Sequence, residues 1–328
     1  MKIPGLQRRH RRASWTPMVN GPWDAALDWD AIDRRFHEEN VRRLRQRIFK
    51  AARDGDRPKV RNLQKLMLRS WSNTLISVRQ ATQLNAGRKT AGVDGQVALA
   101  ARARMGLAVR VHQEASSWRP RPAKRVYIPK AGNRAKRRPL GIPVIADRCH
   151  QGRVRNALEP EWECRFEPRS YGFRPGRSCH DAIAAIFTSC CQAKAKRVWA
   201  LDADLAAAFD KIDHHRLLEA VGSFPARDLI RAWLKAGVIE AGKGFTPTVE
   251  GTPQGGVISP LLLNIALHGL EEAAGVRYYP ARQNRAWNVQ PGSPMVIRYA
   301  DLCRGRHKSA YAEVRVMPTL SRMPWSGR

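Results

Sequence analysis

Acidic residues are scarce in this 328-residue chain. Asp and Glu number 28 against 59 Lys and Arg, which leaves a formal net charge of +31. A charge that high opposes compaction and attracts polyanions, nucleic acid first, because phosphate neutralisation drives non-specific binding. An acidic membrane surface is the rival polyanion, yet no basic amphipathic helix or lipidation motif stands out. Long apolar runs are also missing. No stretch reaches the roughly 18 residues that a spanning helix needs, so the reading is no membrane. The basic start MKIPGLQRRHRRASW has no apolar run behind it, which predicts no secretory leader. Paired cysteine spacings are absent as well. Cys149, Cys164, Cys179, Cys190, Cys191 and Cys303 show no CxxC pattern, which argues against a disulfide frame or a zinc site and for reduced thiols in a cytoplasmic protein. No internal repeat is evident. What remains is ample: 43% of the residues are hydrophobic, enough for the core of one large domain or two modest ones.

The periodicity is helical near the N-terminus. Residues 1–35 are basic and Trp-dotted, and they are expected to be poorly ordered. In VRRLRQRIFKAARDG, Val41, Leu44, Ile48 and Phe49 share a helical face, and Gly55 ends it. After Pro58, the residues Val60, Leu63, Leu66, Met67, Trp71, Leu75 and Val78 recur at three- and four-residue steps, which predicts one continuous helix. A small helical unit over 36–90 follows, with a boundary in the turn-rich NAGRKTAGVDG.

Strand signals come next. Arg125 to Ile128 and Pro139 to Pro143 read as two strands, joined by a basic loop from Lys130 to Arg138. A helix is expected from Arg148 to Leu158, before Pro160. In SYGFRPGRSCHDAI, Ser178 is placed to cap a helix, with Asp181 three positions on. Val198 to Leu205 reads as a strand in which Asp202 and Asp204, two apart, share a face. Leu217, Leu218 and Val221 supply the buried face of the helix beyond. In VEGTPQGGVISPLLLNIALHGLE a Gly/Pro loop leads to a helix, with Ser259 as N-cap and Pro260 as its first residue. PMVIRYAD is a strand that runs into a tight turn.

Two carboxylates at strand ends draw the chemistry. Asp204 and Asp301 lie among apolar neighbours, where a charge is costly unless it is solvated, paired or bound to a metal. A lone strand-end Asp most often caps a turn. A converging set would suit Mg²⁺, which takes oxygen ligands and leaves room for substrate phosphates. The GTPQGG loop lets a backbone approach a phosphate or base, and the basic segment from Lys130 to Arg138 could hold a triphosphate.

In this order YIPKAGNRAKRRPLGIPVIADR, SYGFRPGRSCHDAI, DADLAAAFDKIDHHRLL, GTPQGGVISPLLLNIALHGLE and RYAD resemble the bacterial group II intron-encoded reverse transcriptases, or maturases, over roughly residues 30 to 301. AGVDG at 91–95 matches that family's N-terminal segment. The resemblance implies an α+β fold: right-hand polymerase fingers and palm over 91–301, with a ferredoxin-like antiparallel sheet and helices. Asp204 and Asp301 match the catalytic, metal-holding aspartates, with two Mg²⁺ ions as cofactors. Phe209, five positions after Asp204, matches an aromatic that excludes the ribose 2′-OH. Pro253, Gln254 and Gly255 match the loop at the nucleotide and template, and Lys130 and Arg138 match residues that bind the incoming triphosphate. Asp202 is expected to support the site by a hydrogen bond. The implied partners are group II intron RNA, an RNA template with a DNA primer, and deoxynucleoside triphosphates, in a bacterial cytoplasm. The oligomeric state stays open.

Departures also show. Leu302 stands where the family turn carries a second Asp, and no apolar strand follows. Residues 302–328 form an off-pattern tail, and thumb and maturase segments are not seen in the 27 positions after Asp301. Loss of the returning strand would leave a sheet edge open. The expectation is weak or absent polymerisation, and the alternative reading is a catalytically inactive, RNA-binding remnant of a maturase.

Overall fold

The fold was read from a computed structural model. It describes residues 28–130, 133–190, 199–205, 207–279, 288–290, 292–300, 302–307 and 325–327.

Helix α1 (Arg34–Arg53) begins where Asp33 accepts a hydrogen bond from the Phe36 nitrogen. It buries Val41, Leu44 and Ile48, as their spacing predicts. Phe49 does not join them. One residue past Ile48 the helix has turned about 100°, and the ring is exposed. The single helix expected after Pro58 is two, α2 (Arg57–Arg69) and α3 (Trp71–Arg79). Between them Ser70 is extended, with ψ 126, and its hydroxyl caps Asn73. A Ser that caps the second helix competes with continuation of the first. The apolar stripe divides at the break: Val60, Leu63 and Met67 join one core, Leu75 and Val78 join another, and Leu66 is exposed. A π-helical turn, Gln80–Leu84, follows α3. The packed region reaches back to Trp29, which is buried with Leu75 and Val78 and with residues of α4 (Ala101–Gln113).

The hairpin β1 (Ala123–Lys130) and β2 (Asn133–Ile142) is longer than expected. The basic segment from Lys130 to Arg138 is therefore mostly strand: Arg138 pairs with Ile128, and Lys130 with Asn133 at the tip. Ladder hydrogen bonds on both strands outweigh the loop character read from the sequence. Helix α5 (Ile145–Glu163) starts before Arg148 and runs through Pro160. It is buried on nearly every side and packs against α1, α2 and α3. The surrounding helices hold its course where the proline removes a backbone bond.

Helix α6 (Cys179–Cys190) opens with reciprocal capping: the Ser178 nitrogen donates to Asp181 and the Asp181 nitrogen to the Ser178 hydroxyl. Strand β3 (Trp199–Leu205) is followed by α7 (His214–Val221), α8 (Arg227–Lys235), β4 (Val238–Glu240) and β5 (Gly244–Thr246). Helix α9 (Ser259–Ala266) is capped by Ile258, not by Ser259. The Ser259 hydroxyl turns back instead, to the Pro253 carbonyl at 3.0 Å and Thr252 Oγ1 at 2.9 Å. A short α10 (Leu270–Ala273) precedes β6 (Met295–Tyr299), β7 (Leu302–His307) and β8 (Trp325–Gly327).

Two four-stranded sheets result, ordered β2-β1-β4-β5 and β6-β7-β3-β8. The second is antiparallel throughout. Its second member, β7, corrects the sequence reading: a returning strand does follow the turn. β7 pairs with β6 on one side and β3 on the other. Main-chain hydrogen bonds build that ladder, so an apolar run is not required. The large core joins α1, α2, α5, α7, α8 and α9 with Leu205 of β3. The mixed α+β class expected from the sequence is the class found.

Candidate active site

Strand alternation presents the acids. Ala203 and Leu205 are buried, while Asp202 and Asp204 on the opposite face are exposed. In the sheet Asp204 lies across from Leu302, and Leu302 lies across from Tyr299. The turn between β6 and β7 therefore sits directly beside Asp204. Asp301 itself lies outside the described residues; its neighbours Ala300 and Leu302 bracket that register position. A carboxylate that faces solvent beside such a turn fits an oxygen-ligating divalent cation. Among the described residues no group of three or more His, Cys, Asp or Glu forms a metal cluster.

The turn is held from behind. Arg298, only 3% exposed, donates to the Ala300 carbonyl at 3.2 Å, to Asn264 Oδ1 at 2.8 Å and to Ser170 Oγ at 2.6 Å. The Tyr171 nitrogen donates to the Arg298 carbonyl at 2.8 Å, and the Arg298 nitrogen to the Arg169 carbonyl at 2.9 Å. The loop 169–174 thus lies along β6. Gly172 meets the turn so closely that a Cβ there would collide with the Ala300 backbone nitrogen. Asn264 Nδ2 donates to the Gly172 carbonyl at 2.9 Å, which ties α9 to the same point.

The Gly/Pro loop makes a second junction. The Thr252 nitrogen donates to the Phe209 carbonyl and the Gly251 nitrogen to the Ile212 carbonyl, both at 2.7 Å. On its other side the Gly141 nitrogen of β2 donates to the Gln254 carbonyl at 2.6 Å. Gly255, at φ +113, leaves so little room that a Cβ would stand 2.6 Å from the Gly141 carbonyl. The loop carrying Pro253, Gln254 and Gly255 is thereby stitched to the turn after Asp204 and to the hairpin that bears Arg138. Arg138 is exposed, and it shares a strand face with Leu140, which approaches Gly255. Lys130 stands further off, at the hairpin tip.

Backbone strain marks the same region. Among the described residues, three that are not glycine have left-handed backbone: Phe173 (φ 61), Ala207 (φ 55) and Ala300 (φ 56). Ala207 lies in the turn after Asp204, Ala300 in the turn before Asp301, and Phe173 in the loop pressed against Ala300. Strain of this kind gathers at functional sites.

Two family models match the chain. The model for the N-terminal domain of reverse transcriptase matches residues 29–111. The model for reverse transcriptase (RNA-dependent DNA polymerase) matches residues 128–302, more than half of the chain. The chain belongs to the reverse transcriptase family. Protein YkfC of Escherichia coli (strain K12) is 37% identical over 256 residues, 74% of this chain and 66% of that protein. The group II intron-encoded protein LtrA of Lactococcus lactis subsp. cremoris is 41% identical over 160 residues, 48% of this chain and 26% of that one. Maturase-like protein 1 of Euglena gracilis is 28% identical over 251 residues, 74% of this chain and 52% of that protein. The chain thus spans less than two thirds of the length of these relatives. Reverse transcriptases of this family generally use divalent metal ions.

Of the site residues read from the sequence, the structure gathers Phe209, Pro253, Gln254 and Gly255 around one loop, with Arg138 on the adjoining strand. It sets Asp204 beside the 299–302 turn. Sequence reasoning missed Arg298, Asn264, Ser170 and Phe173. For Arg298 a signal existed: a cation in an otherwise apolar strand, where burial is costly without partners. Phe173 left none, since an aromatic in a loop reads as core.

Proposed function

We propose that this chain is an RNA-directed DNA polymerase of the group II intron type, acting on a DNA primer paired to an RNA template. What supports the reading most is the strand register that puts the 299–302 turn beside Asp204. Asp204 and Asp301 would hold two Mg²⁺ ions, which would supply positive charge for an in-line displacement at phosphorus. The chain's own groups bind and orient. Arg138 and Lys130 grip the triphosphate, and the main chain at Pro253, Gln254 and Gly255 lines the nucleotide and template. Phe209 closes the space that a 2′-OH would need. The excess of positive charge favours intron RNA as a further partner, held through phosphates and helical shape. No helix among the described residues is long and apolar enough to cross a membrane, and a bacterial cytoplasmic setting goes with this reading. Primer extension on an RNA template in Mg²⁺ tests it: deoxynucleotide incorporation is expected, and Asp204→Ala abolishes it.

A second reading has one observation in its favour, Leu302 in place of the turn's second Asp. One carboxylate fewer weakens the hold on two divalent cations. On that reading the chain binds RNA without catalysis, and filter binding would show salt-dependent RNA retention where extension gives no product.

A further inference from the structure

Phe173 is an anomaly for a residue with only a structural role. Its ring is 48% exposed, although Gly172 and Arg174 on either side are buried. Its backbone is left-handed, a conformation that Gly or Asn adopts at little cost and Phe does not. A loop position that needed only this backbone would be better served without the ring. The ring is also held firmly. Gly172 is pinned to the Ala300 turn and to Asn264. The buried Arg174 guanidinium pairs with the Glu163 carboxylate at 2.9 Å and donates to the Glu167 and Ser170 carbonyls at 2.8 and 2.9 Å. The aromatic is thus presented to solvent by a rigid support.

Its position gives it a use. The Phe173 ring meets the Phe209 ring edge to face, with centroids 6.0 Å apart and planes at 67°. Its loop touches the turn before Asp301, and Phe209 belongs to the segment after Asp204. The pair spans the two halves of the candidate site.

We propose that Phe173 is a second aromatic wall of the nucleotide site, packing with Phe209 against the deoxyribose of the incoming deoxynucleoside triphosphate. The inference rests on the polymerase reading and adds a specificity-determining residue to it. A sugar contact is independent of base, so its effect is shared by all four deoxynucleotides.

The test is Phe173→Gly in the full chain, with Phe173→Tyr as the conservative variant. In primer extension Phe173→Gly is expected to raise KM for each deoxynucleotide about tenfold, the order of one lost aromatic contact. kcat stays near wild type, since a contact equal in ground and transition states lowers only KM. The melting temperature does not fall, because glycine relaxes the left-handed backbone. Phe173→Tyr keeps the wild-type KM. A lower melting temperature with an unchanged KM overturns the proposal, and so does a loss confined to one base. Titration calorimetry of dTTP onto the chain with RNA template and dideoxy-ended primer, in Mg²⁺, separates the two readings. Wild-type binding that weakens in Phe173→Gly supports the wall even where no extension occurs, and counts against the polymerase reading alone. Binding indifferent to position 173, or no binding at all, overturns the wall.

Discussion

Replacing Arg298 with Met removes the clamp behind the β6–β7 turn, and the structure sets the size of the effect. Among the described residues the guanidinium makes hydrogen bonds to Asn264, Ala300 and Ser170. Burial opposes ionisation of the half-buried Glu167 and the buried Glu271, and the Arg298 charge favours it. Hydrogen bonds from a charged donor contribute about 1.5–3 kcal/mol each, but three that share one group do not add. Breaking a buried charge network by removing one partner costs about 3–5 kcal/mol. We expect a loss of about 4 kcal/mol, a large part of the roughly 5–15 kcal/mol that holds a domain. Urea unfolding followed by far-ultraviolet circular dichroism measures it, with the midpoint falling and the slope unchanged. Arg298→Lys keeps the charge but not the planar fork, and should recover part of the stability while the Ala300 carbonyl stays unheld. Its extension rate should then fall by more than its stability suggests. A loss below about 1 kcal/mol for Arg298→Met would refute the clamp.

Burial pushes the Glu271 carboxyl up to about 7, against the Tyr278 hydroxyl bond that lowers it. The folded chain then holds a proton that the unfolded chain releases near its ordinary value of 4.5. Stability should therefore decline as pH rises from about 4.5 to about 7 and level off above; thermal melts of Glu271→Gln across that window should lack this slope. Asp147, fully buried, accepts from the Trp118 and Trp233 indoles at 2.7 Å and the Arg121 nitrogen at 3.1 Å. Asp147→Ala orphans three donors and should cost about 3–6 kcal/mol, with Asp147→Asn losing less, as read by denaturant midpoint. Gly255→Ala forces a Cβ against the Gly141 carbonyl at a left-handed position; nucleotide KM should rise while RNA retention on filters is unchanged.

The sequence by itself determined what acts over a few residues. Apolar spacing located α1, α7 and α9. Side-chain chemistry located the cap at Ser178 and Asp181, and period-two alternation put Asp202 and Asp204 on one exposed face. Ordered motifs carried the family. Tertiary structure decided the rest. Ser70 breaks a stripe that periodicity joins, and Pro160 fails to end a helix that its neighbours enclose. A strand follows Asp301 because β3 and β6 supply its hydrogen bonds, whatever its hydropathy. The pairing of Asp204 with Leu302 spans 98 positions, and the bond of Ser170 to Arg298 spans 128. Contacts at that separation come from packing, since local propensity carries no information about a partner so far along the chain.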